Sequence, residues 1–273
     1  MTDTYAVVGN PVAHSKSPLI HAEFARQTGE DVSYGAIHAE LEDFEAAVAR
    51  FRDDGGRGLN VTLPFKHRAY ELASRWTQRA EQAQAVNTMS FEAGAVHGDN
   101  TDGVGLVRDL TVNLALSVAG LRVLLMGAGG AAYGACGALL DEQPALLVVA
   151  NRTRARAVAL AAHFSKRFPG APISAAAYEE TSGSTFDLVI NATSTGLSDS
   201  MPPLPSTVFA PGALAYEMVY GKTTPFLDLA AGAGVAVADG LGMLVEQAAE
   251  SFFMWRWVRP NTAPVIDLLR HCA

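Results

Sequence analysis

Cysteine is nearly missing from this chain: 273 residues hold two, Cys136 and Cys272. Two thiols build no disulfide framework, and a reducing cytoplasm is the expected compartment. An excess of basic charge is missing as well. Lys and Arg number 20 against 28 Asp and Glu, and the net charge of −8 argues against a nucleic-acid partner and favours solubility. The N-terminus lacks the basic and apolar pattern of a secretory signal. The most apolar late stretch, Leu241 to Val258, is interrupted by Glu246, Gln247, Glu250 and Arg256, so it reads as an amphipathic helix and not a membrane span. His14, His38 and His97 have no ligand spacing, so no metal is expected. Repeats, low-complexity tracts and long linkers are also missing. What remains is 49% hydrophobic and 18% charged, an ordinary globular composition, long enough for one large or two modest domains.

The chain is organised around Leu121 to Arg156. Leu121–Met126 reads as a buried parallel strand that ends abruptly in glycine. Gly127-Ala128-Gly129-Gly130-Ala131-Ala132 follows as a G-x-G-x-x-A loop, then an alanine-rich helix to about Leu140 and a second strand, Ala145–Ala150. Strand, glycine turn, helix and strand in about thirty residues is the setting in which this loop binds a dinucleotide. Gly127 permits the tight turn, Gly129 lets the backbone approach a pyrophosphate, and Ala132 keeps helix and strand close. The helix N-terminus offers free N–H groups and a positive dipole end. A further absence then decides the cofactor. No Asp or Glu occurs between Pro144 and Ser165, where an NAD site places the acid that binds the ribose hydroxyl. Asn151-Arg152-Thr153-Arg154-Ala155-Arg156 stands there instead, and guanidinium forks match a 2′-phosphate, hence NADP.

The N-terminal hundred residues read as α/β. Tyr5–Gly9 is a strand, and His14-Ser15-Lys16-Ser17-Pro18 leads into a helix from about Leu19 to Gln27, with Ser17 well placed as N-cap. Hydroxyls beside a helix N-terminus also receive carboxylates, so capping and binding stay open at these serines. Val32–Ile37 is a second strand and Leu41–Phe51 a helix. Leu59–Thr62 is a short strand whose Asn60 and Thr62, with Lys66 a turn later, sit at a strand's carboxyl end, where open α/β sheets bind ligands. Helical segments run from His67 to about Ala83, and Val86–Phe91 and Ala95–His97 form a hairpin. Asp102 stands before a helix reaching about Val118; capping statistics favour a cap there, while its place at a domain crossing suits a site. Later strands are expected near Ile173, at Asp187–Asn191, at Leu214–Val219 and at Val235–Val237. Ala192-Thr193-Ser194-Thr195-Gly196 is a small polar loop expected to face the cofactor. Met201 to Pro205 reads as a surface loop, and a final helix starts at Pro264. Some thirty residues after Asp239 are too few for a domain, so they are expected to pack back on the N-terminal half and leave a cleft between two domains.

These motifs, in this order, resemble the shikimate dehydrogenase family over nearly the whole chain. The markers are Gly9-Asn10-Pro11 with His14–Pro18, Asn60–Lys66, Ala85–Thr88, Gly98–Gly103, Gly127–Ala131, Asn151–Thr153, Asn191–Ser194 and Asp239–Ala248. The resemblance implies an α/β fold of two domains: a substrate domain of 1–102 completed by 240–273, and an inserted Rossmann NADP domain, 103–239. It implies reversible, NADPH-dependent reduction of 3-dehydroshikimate to shikimate. Lys66 and Asp102 match the catalytic pair. Ser15, Ser17, Asn60, Thr62, Asn87, Tyr220 and Gln247 match substrate positions. Gly127, Ala128, Gly129, Gly130, Ala131, Asn151, Arg152, Thr153, Arg156, Met218 and Gly240 match cofactor positions. Lysine is ordinarily protonated at neutral pH, which suits the proton that ketone reduction requires. Expected partners are the small-molecule substrate alone, with no nucleic acid or membrane; a homodimer is the assembly kept in view. Two residues depart from the family pattern, Tyr133 after the glycine loop and Glu246 before Gln247, the latter expected to face away from the substrate. An NAD-preferring quinate/shikimate dehydrogenase is disfavoured by Arg152 and Arg156, a non-catalytic shikimate-binding regulator by Lys66 and Asp102 together, and an NADP-binding redox sensor by the polar N-terminal half.

Overall fold

The computed structural model describes residues 2–193 and 204–271. Ser194 to Gly196 of the polar loop, Met201 to Pro203 and Cys272 lie outside the described residues. The chain divides into two compact units, Met1–Gly105 with Leu244–Ala273, and Leu106–Met243.

In the first unit, alternating strands and helices build one mixed sheet from β1 (Asp3–Gly9), β2 (Val32–His38), β3 (Gly58–Val61), β4 (Arg75–Trp76), β5 (Thr88–Glu92) and β6 (Ala95–Asp99), in the order β2-β1-β3-β5-β6-β4. β1 runs parallel to β2 and β3, and β5 runs antiparallel to β3 and β6. The β5–β6 hairpin closes through Ala93 and Gly94, both at positive φ (48° and 80°), the geometry a two-residue hairpin turn demands. Helices α1 (Ser17–Thr28), α2 (Phe44–Asp53), α3 (Lys66–Leu72) and α4 (Gln78–Ala83) lie between the strands. One apolar cluster joins Val8, Phe44, Leu59, Phe65 and Met89. A second, aromatic patch is closed from the far end of the sequence. Trp255 stacks on Tyr5 with ring centroids 4.5 Å apart, Phe252 meets Phe24 edge-on at 5.7 Å, and the Trp255 indole donates to Met89 O at 3.1 Å. Phe252, Val265, Ile266 and Leu269 are buried. At about 1.5–3 kcal/mol for each such side chain, the C-terminal helices are part of this unit's core.

The second unit is a fully parallel sheet of β7 (Arg122–Met126), β8 (Leu146–Ala150), β9 (Ile173–Ala176), β10 (Phe186–Asn191), β11 (Phe209–Glu217) and β12 (Ala236–Ala238), in the order β12-β11-β10-β7-β8-β9. Side chains alternate across it. Val123 and Leu125 join Leu139, Leu147 and Phe164, whereas Leu124 and Met126 join Phe186, Phe209 and Phe226. Both faces of β7 are therefore apolar, as its unbroken hydrophobic run requires. Helices α6 (Gly130–Asp141), α7 (Arg154–Arg167) and α8 (Pro225–Gly232) complete the unit. The chain leaves β7 towards β8 on one side and returns as β10 on the other. The order reverses between β7 and β10, and ligands of open α/β sheets bind at such a reversal. Helices α5 (Asp102–Arg108) and α9 (Leu241–Arg256) each contain one of the two unit boundaries, and α10 (Ala263–His271) ends the described chain. Among the described residues, no helix is long and apolar enough to cross a membrane.

Two expected helices differ. The segment expected over His67–Ala83 is broken: Ala73 is extended, Ser74 pairs with Val96 through backbone and side chain, and the Thr77 hydroxyl starts a new helix by accepting from Ala80 N at 3.3 Å. The helix expected to reach Val118 instead widens into one π turn, Asp109–Asn113, and stops before Ala115, whose φ is 52°. Asp109 explains the change. Its carboxylate is buried, accepting from Tyr216 Oη at 2.6 Å and Asn113 Nδ2 at 2.9 Å, and the β-branched Thr111 and Val112 hold a regular α turn poorly.

Candidate active site

In the first unit, Lys66 opens α3 and Asp102 opens α5, and Lys66 Nζ donates to Asp102 Oδ2 at 2.6 Å. The helix-capping role at Asp102 is filled by a neighbour: Asn100 Oδ1 accepts the Asp102 N–H at 3.1 Å. The Asp102 carboxylate is thereby left for other partners. Its Oδ1 accepts from Asn87 Nδ2 at 2.8 Å, so both oxygens are held. The pair is neither buried nor free, with 24% of the Lys66 and 10% of the Asp102 side chain exposed. A cation at a helix start opposes the dipole; the paired carboxylate offsets it and keeps the ammonium accessible.

A polar floor fixes this pair. Asn87 Nδ2 also reaches Thr101 Oγ1 at 2.9 Å and Gln247 Oε1 at 3.4 Å, while Asn87 Oδ1 accepts from the Thr101 N–H at 2.8 Å. Gln247 donates through Nε2 to Leu244 O at 2.8 Å. Asn60 is committed on both amide atoms. Its Nδ2 donates to Ser251 Oγ at 2.9 Å and Thr88 Oγ1 at 3.1 Å, and its Oδ1 accepts from Tyr34 Oη at 2.7 Å. Burial raises the Tyr34 phenol well above its ordinary pKa, with the nearby Ser17 hydroxyl opposing, so Tyr34 remains a donor. Thr62 stands just past β3, and its methyl occupies the space a Cβ on Gly9 would need, 2.3 Å away. At α1 the N-cap residue is Lys16, and Ser17 is the first helical residue. The hydroxyl that meets the helix start belongs to Ser15, whose Oγ accepts the Ser17 N–H at 3.2 Å. Ser17 is therefore not the expected cap.

In the second unit the glycine loop has the geometry its residues imply. Gly127 lies at φ 107°, and a Cβ there would meet Ala192 O at 3.0 Å. Gly129 is the N-cap of α6 without a side-chain cap, and the position of its missing Cβ opens on free space. Ala132 is fully buried. The uncapped N–H groups and open approach fit a pyrophosphate. At the end of β8, Asn151 Nδ2 donates to Thr153 O at 3.0 Å, and Arg152, Thr153 and Arg156 are exposed. Arg154 is withdrawn from the cluster, because its Nε donates to Glu180 at 2.9 Å. Glu180 escaped the sequence reading through its 26-residue separation from Arg154. With two arginines and a threonine exposed where an NAD site has an acid, the residues present fit NADP. Gly240 packs so tightly on the Met218 backbone that a Cβ would lie 2.2 Å from Met218 O, and Gly240 N donates to Val219 O at 3.2 Å. Tyr220, half-buried, stands two residues on in the same loop.

Known proteins match this arrangement over the full length. Residues 7–89 match the shikimate dehydrogenase substrate binding domain, residues 110–197 the shikimate/quinate 5-dehydrogenase domain, and residues 240–270 the shikimate 5′-dehydrogenase C-terminal domain. The NADP(+) shikimate dehydrogenase of Dechloromonas aromatica is 57% identical over 272 residues, covering 99% of this chain and 98% of the relative. The chain belongs to the shikimate dehydrogenase family. Among solved structures of similar proteins, an Ael1 enzyme from Pseudomonas putida superposes with a TM-score of 0.93 at 49% identity, covering 98% of each chain. A shikimate 5-dehydrogenase from Thermus thermophilus in complex with NADP(H) and shikimate gives a TM-score of 0.88 at 32% identity over 100% of both chains.

Set against the family pattern, Lys66, Asp102, Asn60, Asn87 and Gln247 form one hydrogen-bonded set in the first unit. Ser15 and Ser17 stand at the start of α1. The glycine loop, Arg152, Thr153, Met218 and Gly240 stand at strand ends of the second unit, and Arg156 lies in the first turn of α7. The two departures from the family pattern are absorbed into packing. Tyr133 lies edge-on to His163 at 5.4 Å, and Glu246 is buried, accepting from Thr262 Oγ1 at 2.6 Å. Sequence reasoning passed over Tyr34, Thr101 and Ser251, which hold the named residues in place. Tyr34 sits in an unremarkable strand, and Ser251 lies 191 residues from the Asn60 amide it accepts from.

Proposed function

We propose that the chain is a shikimate dehydrogenase: it reversibly reduces 3-dehydroshikimate to shikimate with NADPH, in the route to chorismate and the aromatic amino acids. The observation that carries the reading is the partly exposed Lys66–Asp102 pair at 2.6 Å, beside a floor of amides and hydroxyls. The substrate domain is 1–102 with 240–273, and the NADP domain is 103–239. NADPH, when bound, supplies the hydride. Ketone reduction leaves an oxyanion that needs a proton, and the Lys66 ammonium delivers it. Asp102 keeps Nζ in place, and Asn87 keeps Asp102 in place. In the oxidative direction Lys66, as a neutral amine, accepts the hydroxyl proton. Ser15 and Ser17 receive the substrate carboxylate, and Asn60, Thr62, Asn87, Tyr220 and Gln247 hold the ring substituents. Gly127 to Ala131 cradle the pyrophosphate. Asn151, Arg152, Thr153 and Arg156 hold the adenosine end with its 2′-phosphate, and Met218 and Gly240 flank the nicotinamide. The enzyme works in the cytoplasm on small molecules alone, and a homodimer is its proposed assembly.

The deciding experiment follows nicotinamide absorbance with 3-dehydroshikimate, using NADPH and NADH in parallel. Rapid oxidation of NADPH with little use of NADH is expected. No turnover with either cofactor by folded protein would overturn the reading in favour of a binding or sensing protein. A companion variant isolates the phosphate pocket. Arg152→Ala combined with Arg156→Ala should weaken NADPH by about 10- to 100-fold, since hydrogen bonds to charged groups contribute about 1.5–3 kcal/mol. The use of NADH, which lacks the phosphate, should scarcely change. Equal losses for both cofactors in KM measurements would remove the 2′-phosphate role from these arginines.

A further inference from the structure

Glu217, the last residue of β11, is fully buried, and its hydrogen-bond donors are all neutral. Oε2 accepts from Asn191 Nδ2 at 2.7 Å and Thr224 Oγ1 at 3.0 Å, and Oε1 accepts from Val219 N at 3.2 Å. Burial raises its pKa, with those donors opposing. A carboxylate in this setting is costly unless its position repays the cost. Its partners show what it joins. Asn191 ends β10, beside the strand-order reversal. Its backbone O accepts from Met218 N at 3.1 Å, and its side-chain Oδ1 accepts from Thr193 N and Oγ1 at 3.1 and 2.7 Å. Val219 and Thr224 lie near the two ends of the loop between β11 and α8, and Thr224 is the N-cap of α8. Val219 O in turn accepts from Gly240 N at 3.2 Å at the end of β12. One side chain thus gathers the ends of β10 and β11 and the start of α8.

We propose that Glu217 is a positioning residue for the reaction: its carboxylate fixes the Met218–Thr224 loop against the end of β10 and so sets where Met218 and Tyr220 stand. The inference rests on the functional reading above, which puts Met218 at the nicotinamide and Tyr220 at the substrate. An amide cannot replace this carboxylate. Glutamine has one acceptor oxygen and a donor NH2 group, so either Val219 N or the Asn191 and Thr224 donors must face another donor. The loop then relaxes, and a misplacement of about 1 Å near a reacting centre costs up to about 100-fold in rate. The 2′-phosphate pocket of Asn151, Arg152, Thr153 and Arg156 follows β8, which β7 separates from β10 and its network.

The test compares Glu217→Gln with the parent chain. Turnover of 3-dehydroshikimate with NADPH should fall by about 10- to 100-fold. The dissociation constant for the probe 2′-phosphoadenosine 5′-phosphate should stay within about twofold, because the 2′-phosphate pocket stands at the end of β8. Adding Asn191→Asp exchanges acid and amide across the 2.7 Å contact, restores a donor facing an acceptor, and should recover much of the lost kcat. Unchanged kcat in Glu217→Gln, bisphosphate affinity falling in step with kcat, or a double variant no faster than the single would each overturn the positioning role. Should Glu217→Gln fail to fold, Glu217→Asp, which withdraws the carboxylate by one methylene, carries the same comparison of kcat with bisphosphate affinity. An inactive parent defeats the functional reading and this inference with it; an active parent beside an unaffected variant defeats this inference alone.

Discussion

Lys66→Ala turns 3-dehydroshikimate over at least about 100-fold more slowly than the parent chain, with a milder change in KM, because positioned proton transfer contributes about 10²- to 10⁴-fold. The split between the two constants carries the meaning. A group that acts when charge develops on the substrate oxygen lowers kcat and kcat/KM together, whereas uniform binding shows in KM alone. A loss confined to KM would recast Lys66 as a binding residue. Direction matters too. Reduction needs a proton donor and oxidation an acceptor, and one lysine serves both. Asp102→Asn tests the partner. An amide oxygen can still accept from Nζ, but Asn87 Nδ2, now 2.8 Å from Asp102 Oδ1, would face the amide's own donor. The Lys66 anchor loosens, and kcat should fall again with the floor of the site intact.

Much of this was legible in the sequence where one residue type does one local job. The β7–α6–β8 unit was readable because Gly127 meets a backbone constraint that glycine alone tolerates well, a φ of 107°, and Gly129 leaves the approach to the start of α6 open. The two-sheet α/β architecture followed from strand length and apolar runs. Capping was the weak point. Asp102 and Ser17 are both good caps in isolation, and both were displaced from that job by neighbours, Asn100 and Ser15, whose side chains turn back on the helix start. The break at Ala73 and the π turn at Asp109 were hidden for another reason. Each is set by a partner remote in sequence: Val96 for Ser74, and Tyr216 for Asp109 across 107 residues. Arg154 belongs to the same basic run, but its guanidinium pairs with Glu180, 26 residues on. Local chemistry is visible in a sequence; the partner that redirects a polar side chain is visible only in the fold.

His21 shows the same limit from inside the core, and it supplies the largest expected effect on stability. The ring stacks on Tyr34 at 4.0 Å and 4°, with Trp255 at 5.6 Å, Phe24 at 5.8 Å and Phe252 at 6.1 Å around it. Neither ring nitrogen has a hydrogen-bond partner among the described residues. Full burial pulls the imidazole pKa from 6.5 down to about 3, with the neighbouring Asn60 amide opposing. The folded chain therefore keeps His21 neutral where the unfolded chain protonates it. Between pH 6.5 and about 3 the unfolded state binds the extra proton, so His21 costs the fold stability progressively as pH falls through that window. At about 1.4 kcal/mol per pH unit, the loss amounts to several kcal/mol, comparable with a domain's whole margin. His21→Phe keeps an aromatic ring against Tyr34 and removes both unpartnered nitrogens. It should flatten the acid limb of stability, measured as urea midpoints between pH 7 and pH 4, while acids held low by arginine, such as Asp3 and Glu250, keep their own share of that limb. Parallel limbs in parent and variant would show that the imidazole finds a partner or a proton in the folded state. A flatter limb with kcat unchanged at neutral pH would show that the ring under Tyr34 and Asn60 serves packing alone.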